Sequence, residues 1–144
     1  MTISASDGGG EETVLKARLA LEAAHPPRTI MVADWDTSER RMLADLLETA
    51  GYRVLQAANG MEALTLLAGN APDLLLTDIV MPEKDGLELI QDVRKNHSKT
   101  TIIAMSGTAR ADDYLSVARL LGAKRTLKKP LVVDQLLASL RDTE

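Results

Sequence analysis

From residue 28 onward, short apolar runs alternate with amphipathic segments along the chain. Mostly apolar runs that end at turn-forming residues are typical of strands buried in a parallel sheet. The segments between them repeat apolar residues every three or four positions, which is the spacing of a helix with one buried face. The predicted strands cover residues 29–34, 52–57, 73–78, 100–105 and 123–128. The predicted helices cover residues 37–49, 86–95, 111–121 and 131–141, together with a segment that begins at Gly60.

Five strands that alternate with five helices, joined by short loops, predict an α/β fold with a doubly wound, five-stranded parallel sheet. The helix over residues 37–49 shows how its faces are assigned. We expect Arg40 and Arg41 to face solvent. Its buried face is expected to consist of apolar residues, namely Met42, Leu43, Leu46 and Leu47.

The first 27 residues do not follow this alternation and predict an N-terminal extension to a domain over residues 28–144. Residues 1–10 are small and polar with a glycine run, so we expect them to be disordered. Residues 11–24 predict an extra helix, with two acids in its first turn and a proline pair after its end. Its apolar stripe is partial, so this helix either docks on the domain or a partner, or frays as a tail.

Composition and charge exclude several classes of protein. The chain has no cysteine, which excludes disulfides, thiolate metal sites and cysteine nucleophiles. A net charge of -4 argues against a nucleic-acid partner. No apolar stretch approaches the roughly 20 residues needed to cross a bilayer, and the N-terminus does not resemble a signal peptide. We therefore expect a cytoplasmic domain that binds neither nucleic acid nor membrane.

Polar residues stand where four of the predicted strands end. Asp34 ends the first strand and Asp36 comes soon after it, Asp78 ends the third, and Ser106 and Lys129 follow the fourth and fifth. Parallel strands end at the same edge of their sheet, where such sheets bind ligands. Carboxylates hold Mg²⁺ or attack phosphorus, and a hydroxyl and an ammonium hydrogen-bond phosphoryl oxygens. The sequence therefore predicts a phosphoryl-transfer site at this edge.

From about residue 29 to residue 141, the chain resembles the receiver domain of response regulators in two-component signalling. The motifs that carry the resemblance are IMVAD, AANGMEAL, LLLTDIVMPEKDGLEL, IIAMSG and KKP. The resemblance implies a flavodoxin-like sheet with strand order 2-1-3-4-5, and a cis peptide bond before Pro130.

The resemblance also implies a role for each site residue. Asp78 would accept a phosphoryl group from a histidine kinase or a histidine phosphotransfer protein in a phosphorelay. Asp34, Asp78 and the backbone carbonyl of Val80 would hold Mg²⁺. Ser106 and Lys129 would contact the phosphoryl group.

Three positions depart from the family pattern. Trp35 stands in place of a second acid, so Mg²⁺ binding is expected to weaken unless Asp36 substitutes for it. Thr126 stands where the family carries a switching aromatic residue. Val80, two residues after the phosphoacceptor, offers no side-chain group that could orient an attacking water.

No further domain follows the last predicted helix, which predicts a single-domain response regulator. We expect no enzymatic activity beyond its own phosphorylation and dephosphorylation. Output would come from changed contacts with a protein partner, through the face formed by the last two helices and the last strand. A homodimer is a further option.

Two alternatives stay open at this point. Trp35 and Thr126 favour a receiver-like interaction module that signals without phosphorylation. The run from Asp34 to Ser38 also resembles the D-x-D-x-T/S loop of haloacid-dehalogenase-type phosphatases. That family needs a further acidic pair on a later strand, and it leaves Asp78 without a role.

Overall fold

The computed structural model describes residues 3–4, 9–24 and 28–143. The elements follow in chain order: β1 (Ile3–Ser4), α1 (Gly9–Ala24), β2 (Thr29–Ala33), α2 (Thr37–Thr49), β3 (Arg53–Ala57), α3 (Gly60–Gly69), β4 (Leu74–Asp78), α4 (Gly86–Asn96), β5 (Thr101–Ser106), α5 (Ala111–Leu121), β6 (Arg125–Lys128), β7 (Leu131–Val132) and α6 (Val133–Arg141). The main sheet is parallel with the order β3-β2-β4-β5-β6. Counted along this sheet alone, the order is 2-1-3-4-5. The predicted fold class and strand order are confirmed.

Apolar side chains from β2 and β4 fill the cores on both faces of the sheet. All five residues of β4 are buried. Leu74 and Leu76 pack on the face covered by α2 and α6. Leu75 packs on the opposite face, covered by α3, α4 and α5. Because β2 and β4 are neighbours in register, the residues at their carboxyl ends lie side by side.

The buried stripe of α2 differs from its predicted face. Leu43 and Leu47 are buried as predicted, whereas Met42 is 41% exposed, so its predicted burial is wrong. The stripe instead repeats every four residues and includes Glu39, which is buried one turn before Leu43. Arg40 is half-buried, and its Nη1 donates a hydrogen bond to the Asp34 carbonyl oxygen, although solvent exposure was predicted. Charged groups at the start of α2 therefore face the sheet edge.

The N-terminal segment is more ordered than the sequence predicted. Residues 3–4 were expected to be disordered but pair in parallel with residues 131–132 as a two-stranded sheet. Because residues 131–132 form β7, the last helix begins at Val133 and not at Leu131 as predicted. Residues 9–10, also expected to be disordered, form the start of α1. The rest of the predicted disordered stretch lies outside the described residues.

Helix α1 docks on the domain, which was one of the options left open. It packs against α6 and α2, with Val14 and Ala17 buried. Leu15 and Leu19 on the same helix are exposed. In the described part of the chain, no helix is long and apolar enough to cross a membrane.

Candidate functional site

Four of the predicted site residues lie at the carboxyl edge of the sheet. Asp34 directly follows β2, Asp78 and Ser106 end β4 and β5, and Lys129 directly follows β6. Asp34 and Ser106 are fully buried, and Asp78 is only 8% exposed. The Lys129 backbone N–H donates to the Ser106 carbonyl oxygen, which fixes the end of β6 beside β5. The peptide bond between Lys129 and Pro130 is cis, as the resemblance implied.

The Lys129 ammonium links the acids of β2 and β4. Its Nζ lies 3.3 Å from Asp34 Oδ2 and 3.1 Å from Asp78 Oδ2, and both contacts are hydrogen bonds. The other carboxylate oxygen of Asp78, Oδ1, accepts a hydrogen bond of 2.9 Å from the Ile79 N–H. Asp78 is therefore held by the backbone through one oxygen and paired with a cation through the other.

Glu39 is the residue of this cluster that the sequence analysis missed. Its Oε1 lies 2.6 Å from Lys129 Nζ, and both side chains are only 7% exposed. The contact is a short ion pair between a buried carboxylate and a buried ammonium. Its position in the stripe with Leu43 and Leu47 was a usable signal, because a charged residue on a core-facing helix position calls for a partner.

Ser106 contributes a hydroxyl that has no hydrogen-bond partner among the described residues, although its Oγ is buried. A buried polar group left without a partner typically costs about 1–3 kcal/mol. Such a group is a candidate for contact with a bound ligand. This property agrees with the predicted role of Ser106, which stays a prediction.

The loop after β2 turns the side chains of Trp35 and Asp36 toward solvent. Trp35 is 57% exposed. Asp36 is exposed too, and its Oδ1 caps α2 by accepting a hydrogen bond of 3.0 Å from the Glu39 N–H. The Asp36 N–H in turn donates to Asp34 Oδ1. Asp36 thus positions its neighbours, and its carboxylate takes part in none of the Lys129 ion pairs that the structure describes.

The loop after β4 folds back on Asp78. The Gly86 N–H donates to the Ile79 carbonyl oxygen at 2.7 Å. A Cβ at Gly86 would lie 2.2 Å from the Asp78 carbonyl oxygen, so only glycine fits there without a shift of the backbone. This contact accounts for the glycine of the DG pair in the β4 motif. The role predicted for the Val80 carbonyl stays a prediction.

Burial and the charges of neighbouring groups shift the pKa values of this cluster in opposite directions. Burial raises the pKa of Asp34 to about 7, although Lys129 and the Asp36 N–H favour its ionised form. Burial likewise raises the pKa of Asp78, against the attraction of Lys129. Burial alone would lower the pKa of Lys129, but the nearby carboxylates outweigh it and the net shift is upward. Lys129 therefore stays charged, and the two aspartates bind protons more readily than exposed ones.

The donor set of the cluster fits Mg²⁺ in charge and in ligand type. Three carboxylates around one ammonium carry a formal charge of -2 when all are ionised. Mg²⁺ prefers oxygen ligands and commonly binds through one or two carboxylates while it keeps several waters. Asp34 and Asp78 supply such a pair. As placed, no three acidic or histidine side chains within the described ranges converge closely enough to chelate one ion.

A comparison with protein families decides the class of this domain. Residues 30–141 match the family model of the response regulator receiver domain, which covers more than three-quarters of the chain. The chain belongs to the response regulator receiver family. This assignment contradicts the dehalogenase-type phosphatase alternative, in which Asp34 would have been the nucleophile.

Relatives and solved structures agree with the receiver assignment. The response regulator MprA of Mycobacterium sp. strain KMS is 39% identical over 116 residues, which is 80% of this chain and 50% of that protein. MprA of Mycobacterium avium strain 104 is 38% identical over 113 residues, 78% of this chain and 49% of that protein. The chain thus spans about half the length of the curated relatives it matches.

Two solved receivers show the same fold. A CheY-like receiver domain protein from Methanospirillum hungatei JF-1 superposes with a TM-score of 0.76 at 27% identity, covering 81% of this chain and 92% of that one. TrrA from Thermotoga maritima, solved in complex with Mg²⁺ and BeF, has a TM-score of 0.73 at 28% identity. The match covers 81% of this chain and 99% of that one.

A second group of polar residues lies on the receiver surface formed by α5 and β6. Arg119 Nη2 donates a hydrogen bond of 2.8 Å to Thr126 Oγ1, at the position where the family carries an aromatic residue. Leu120 is 86% exposed beside this pair. A shallow cavity opens here, and it is lined by Asp112, Leu115, Ser116, Arg119, Leu120, Thr126 and Lys128.

Proposed function

We propose that this receiver domain accepts a phosphoryl group on Asp78 and signals by changing its protein contacts. The donor would be the phosphohistidine of a histidine kinase or a histidine phosphotransfer protein. The observation that supports this most is the buried pair between Asp78 Oδ2 and Lys129 Nζ, 3.1 Å apart at the ligand-binding edge of the sheet. A cytoplasmic location and homodimerisation remain expectations.

Asp78 would act as the nucleophile. Its Oδ1 accepts a hydrogen bond from the Ile79 N–H, and Oδ2, which Lys129 Nζ contacts, would be the attacking oxygen. As the bond from Oδ2 to phosphorus forms, the bond from phosphorus to the donor histidine nitrogen breaks. That nitrogen keeps the electron pair and takes up a proton. The ionised form of Asp78 is required, and Lys129 favours this form against the effect of burial.

Lys129 and Ser106 would stabilise the transferred group. An ammonium and a hydroxyl at this edge can hydrogen-bond the phosphoryl oxygens, where negative charge accumulates during transfer. The Ser106 hydroxyl needs to break no hydrogen bond within the described residues to do so. Asp34 and Asp78 would hold a Mg²⁺ that neutralises the charge of the incoming group.

The surface of α5, β6 and α6 is our candidate for the output. Ser106 ends β5, and only four residues separate it from the start of α5 at Ala111. A Ser106 hydroxyl drawn toward a phosphoryl group would shift this connection, and with it Arg119 on α5. The hydrogen bond from Arg119 to Thr126 would then transmit the change to β6. A protein partner would bind around the exposed Leu120.

Labelling with a small phosphodonor tests the proposal. Wild-type protein incubated with acetyl phosphate and Mg²⁺ should gain the mass of one phosphoryl group and lose it at alkaline pH, whereas Asp78→Asn should gain none. Asp85→Asn is the matched control, because Asp85 caps α4 and asparagine caps equally well. Full labelling of Asp78→Asn would overturn the assignment.

Trp35 supports a second candidate function. It is exposed and cannot ligate a metal, which favours an interaction module that signals without phosphorylation. In that case, neither acetyl phosphate nor a phosphorylated histidine donor would label the wild-type protein, with Mg²⁺ present at millimolar concentration.

A further inference from the structure

We propose that Glu39 supplies the third negative charge of the site, in place of the acid that Trp35 replaces, and that it sets both the affinity for Mg²⁺ and the position of Lys129. This inference rests on the proposed function, because it assumes that the cluster binds Mg²⁺. Glu39 would act as a positioning residue, through its charge and its contact with Lys129.

The fold explains why Glu39 reaches the site. Asp36 caps α2 and thereby fixes its first turn, with its carboxylate on the Glu39 N–H. Glu39 then stands one turn before Leu43 on the buried stripe of α2, so its side chain faces the sheet edge. Its Oε1 is buried and lies 2.6 Å from Lys129 Nζ. A carboxylate has about four acceptor sites, so Glu39 can accept from a water coordinated to an ion in addition to its contact with Lys129.

The charge balance shows what Glu39 changes. Without it, Asp34, Asp78 and Lys129 would carry a formal charge of -1, and Lys129 would pair with the two aspartates alone. With it, the cluster carries -2, which matches the charge of Mg²⁺. Glu39 also shares the charge of Lys129 with the two aspartates, which are therefore less fully neutralised by it. Both effects raise the affinity for a divalent cation.

The alternative substitute, Asp36, is less suited to this role. Its carboxylate is exposed and is used by the helix cap. The two acids of this segment therefore have different roles. Asp36 holds the loop and the start of α2, and Glu39 supplies charge to the site.

Direct metal titration of the full chain, with no phosphodonor present, tests this inference. Trp35 is the only tryptophan and adjoins Asp34, so its fluorescence can report a Mg²⁺ titration. Binding of Mn²⁺, which suits the same oxygen ligands, can be followed independently by electron paramagnetic resonance. Loss of a carboxylate that supports a metal site typically weakens affinity about 10- to 100-fold, and we expect this range for Glu39→Gln.

Two further variants separate charge from structure. Glu39→Asp keeps the charge on a shorter side chain and should restore most of the affinity lost in Glu39→Gln. Asp36→Asn keeps the helix cap and should bind like wild type. Circular dichroism checks that each variant is folded. If Glu39→Gln does not fold, the metal affinity of Glu39→Asp decides the outcome.

The contrary results are distinct from a failure of the proposed function. Wild-type affinity in Glu39→Gln, or an equal loss in Asp36→Asn, would overturn the role of Glu39 while phosphorylation of Asp78 could still stand. A wild-type protein that binds neither Mg²⁺ nor Mn²⁺ would also overturn it. If that protein in addition failed to take a label from acetyl phosphate, the proposed function would fall as well.

Discussion

Lys128 and Lys129 are consecutive residues, yet their ammonium groups lie in opposite environments. Lys128 pairs with Asp112 at 3.2 Å, and the two side chains are 60% and 83% exposed. The side chain of Lys129 is 7% exposed, and carboxylates from β2, α2 and β4 lie within 3.3 Å of its Nζ. Two identical side chains thus belong to different regions, one to the α5–β6 surface and one to the buried cluster.

The difference shows how burial changes what a lysine–carboxylate ion pair contributes to stability. An exposed pair is screened by solvent and typically contributes less than about 1 kcal/mol to stability. A buried charge must keep its partners, because removing one leaves the others uncompensated in a medium of low dielectric constant. Lys129 is therefore tied to the acids around it, whereas Lys128 can change partner at little cost.

The largest expected effect comes from removing each lysine in turn. Lys129→Met should lower the free energy of unfolding by about 3–5 kcal/mol at pH 8, because it leaves three buried carboxylates without their cation. Lys128→Met should change it by less than about 1 kcal/mol. Urea denaturation without Mg²⁺ measures both. Equal losses for the two variants would mean that the buried cluster is hydrated like the surface.

A smaller effect should appear in the pH dependence of stability. The pKa of Asp34 rises from 3.8 to about 7 on folding, mainly through burial. The folded protein therefore binds more protons than the unfolded chain between these values, and Asp34 makes folding less favourable as pH rises from about 4 to 7. Relative to wild type, Asp34→Asn should thus gain stability with pH across this window and level off above it.

Unfolding of both proteins between pH 4 and pH 8 measures this difference, with Asp45→Asn on the exposed face of α2 as the control. Mg²⁺ should reduce the difference in unfolding free energy between Asp34→Asn and wild type at pH 8, because it stabilises the ionised carboxylate of the wild type. A difference that stays constant with pH would contradict a raised pKa at Asp34.

The smallest expected effect lies at the α5–β6 surface. Thr126→Val removes the acceptor of the Arg119 hydrogen bond and should change the free energy of unfolding by no more than about 1 kcal/mol. It should also leave the rate at which acetyl phosphate labels Asp78 unchanged. A marked change in that rate would show that the two regions are coupled even before phosphorylation.

The fold was predictable because its signals are local. Alternation of apolar runs with amphipathic segments specifies strands and helices, and a parallel sheet brings the ends of its strands together. That reasoning was enough to place Asp34, Asp78, Ser106 and Lys129 at one edge.

The missed features depend on contacts that are remote in sequence. Glu39 in the first turn of a helix has an ordinary local explanation, since an acid there interacts well with the helix dipole. Its spacing from Leu43 and Leu47 indicates the buried face of α2, but its partner, Lys129, lies 90 positions further along the chain. The pairing of Ile3 and Ser4 with β7 likewise has no local signal. Trp35 was recognised as a departure from the family pattern, and its effect on Mg²⁺ binding stays a prediction.

Locating the phosphoryl group tests the central proposal most directly. Borohydride reduces an aspartyl phosphate to an alcohol, so the labelled residue becomes homoserine and can be located by peptide mass spectrometry. After treatment with acetyl phosphate and Mg²⁺, we predict homoserine at position 78 and unmodified aspartate at position 34. Homoserine at position 34, with position 78 unmodified, would contradict the assignment of Asp78 as the phosphoacceptor.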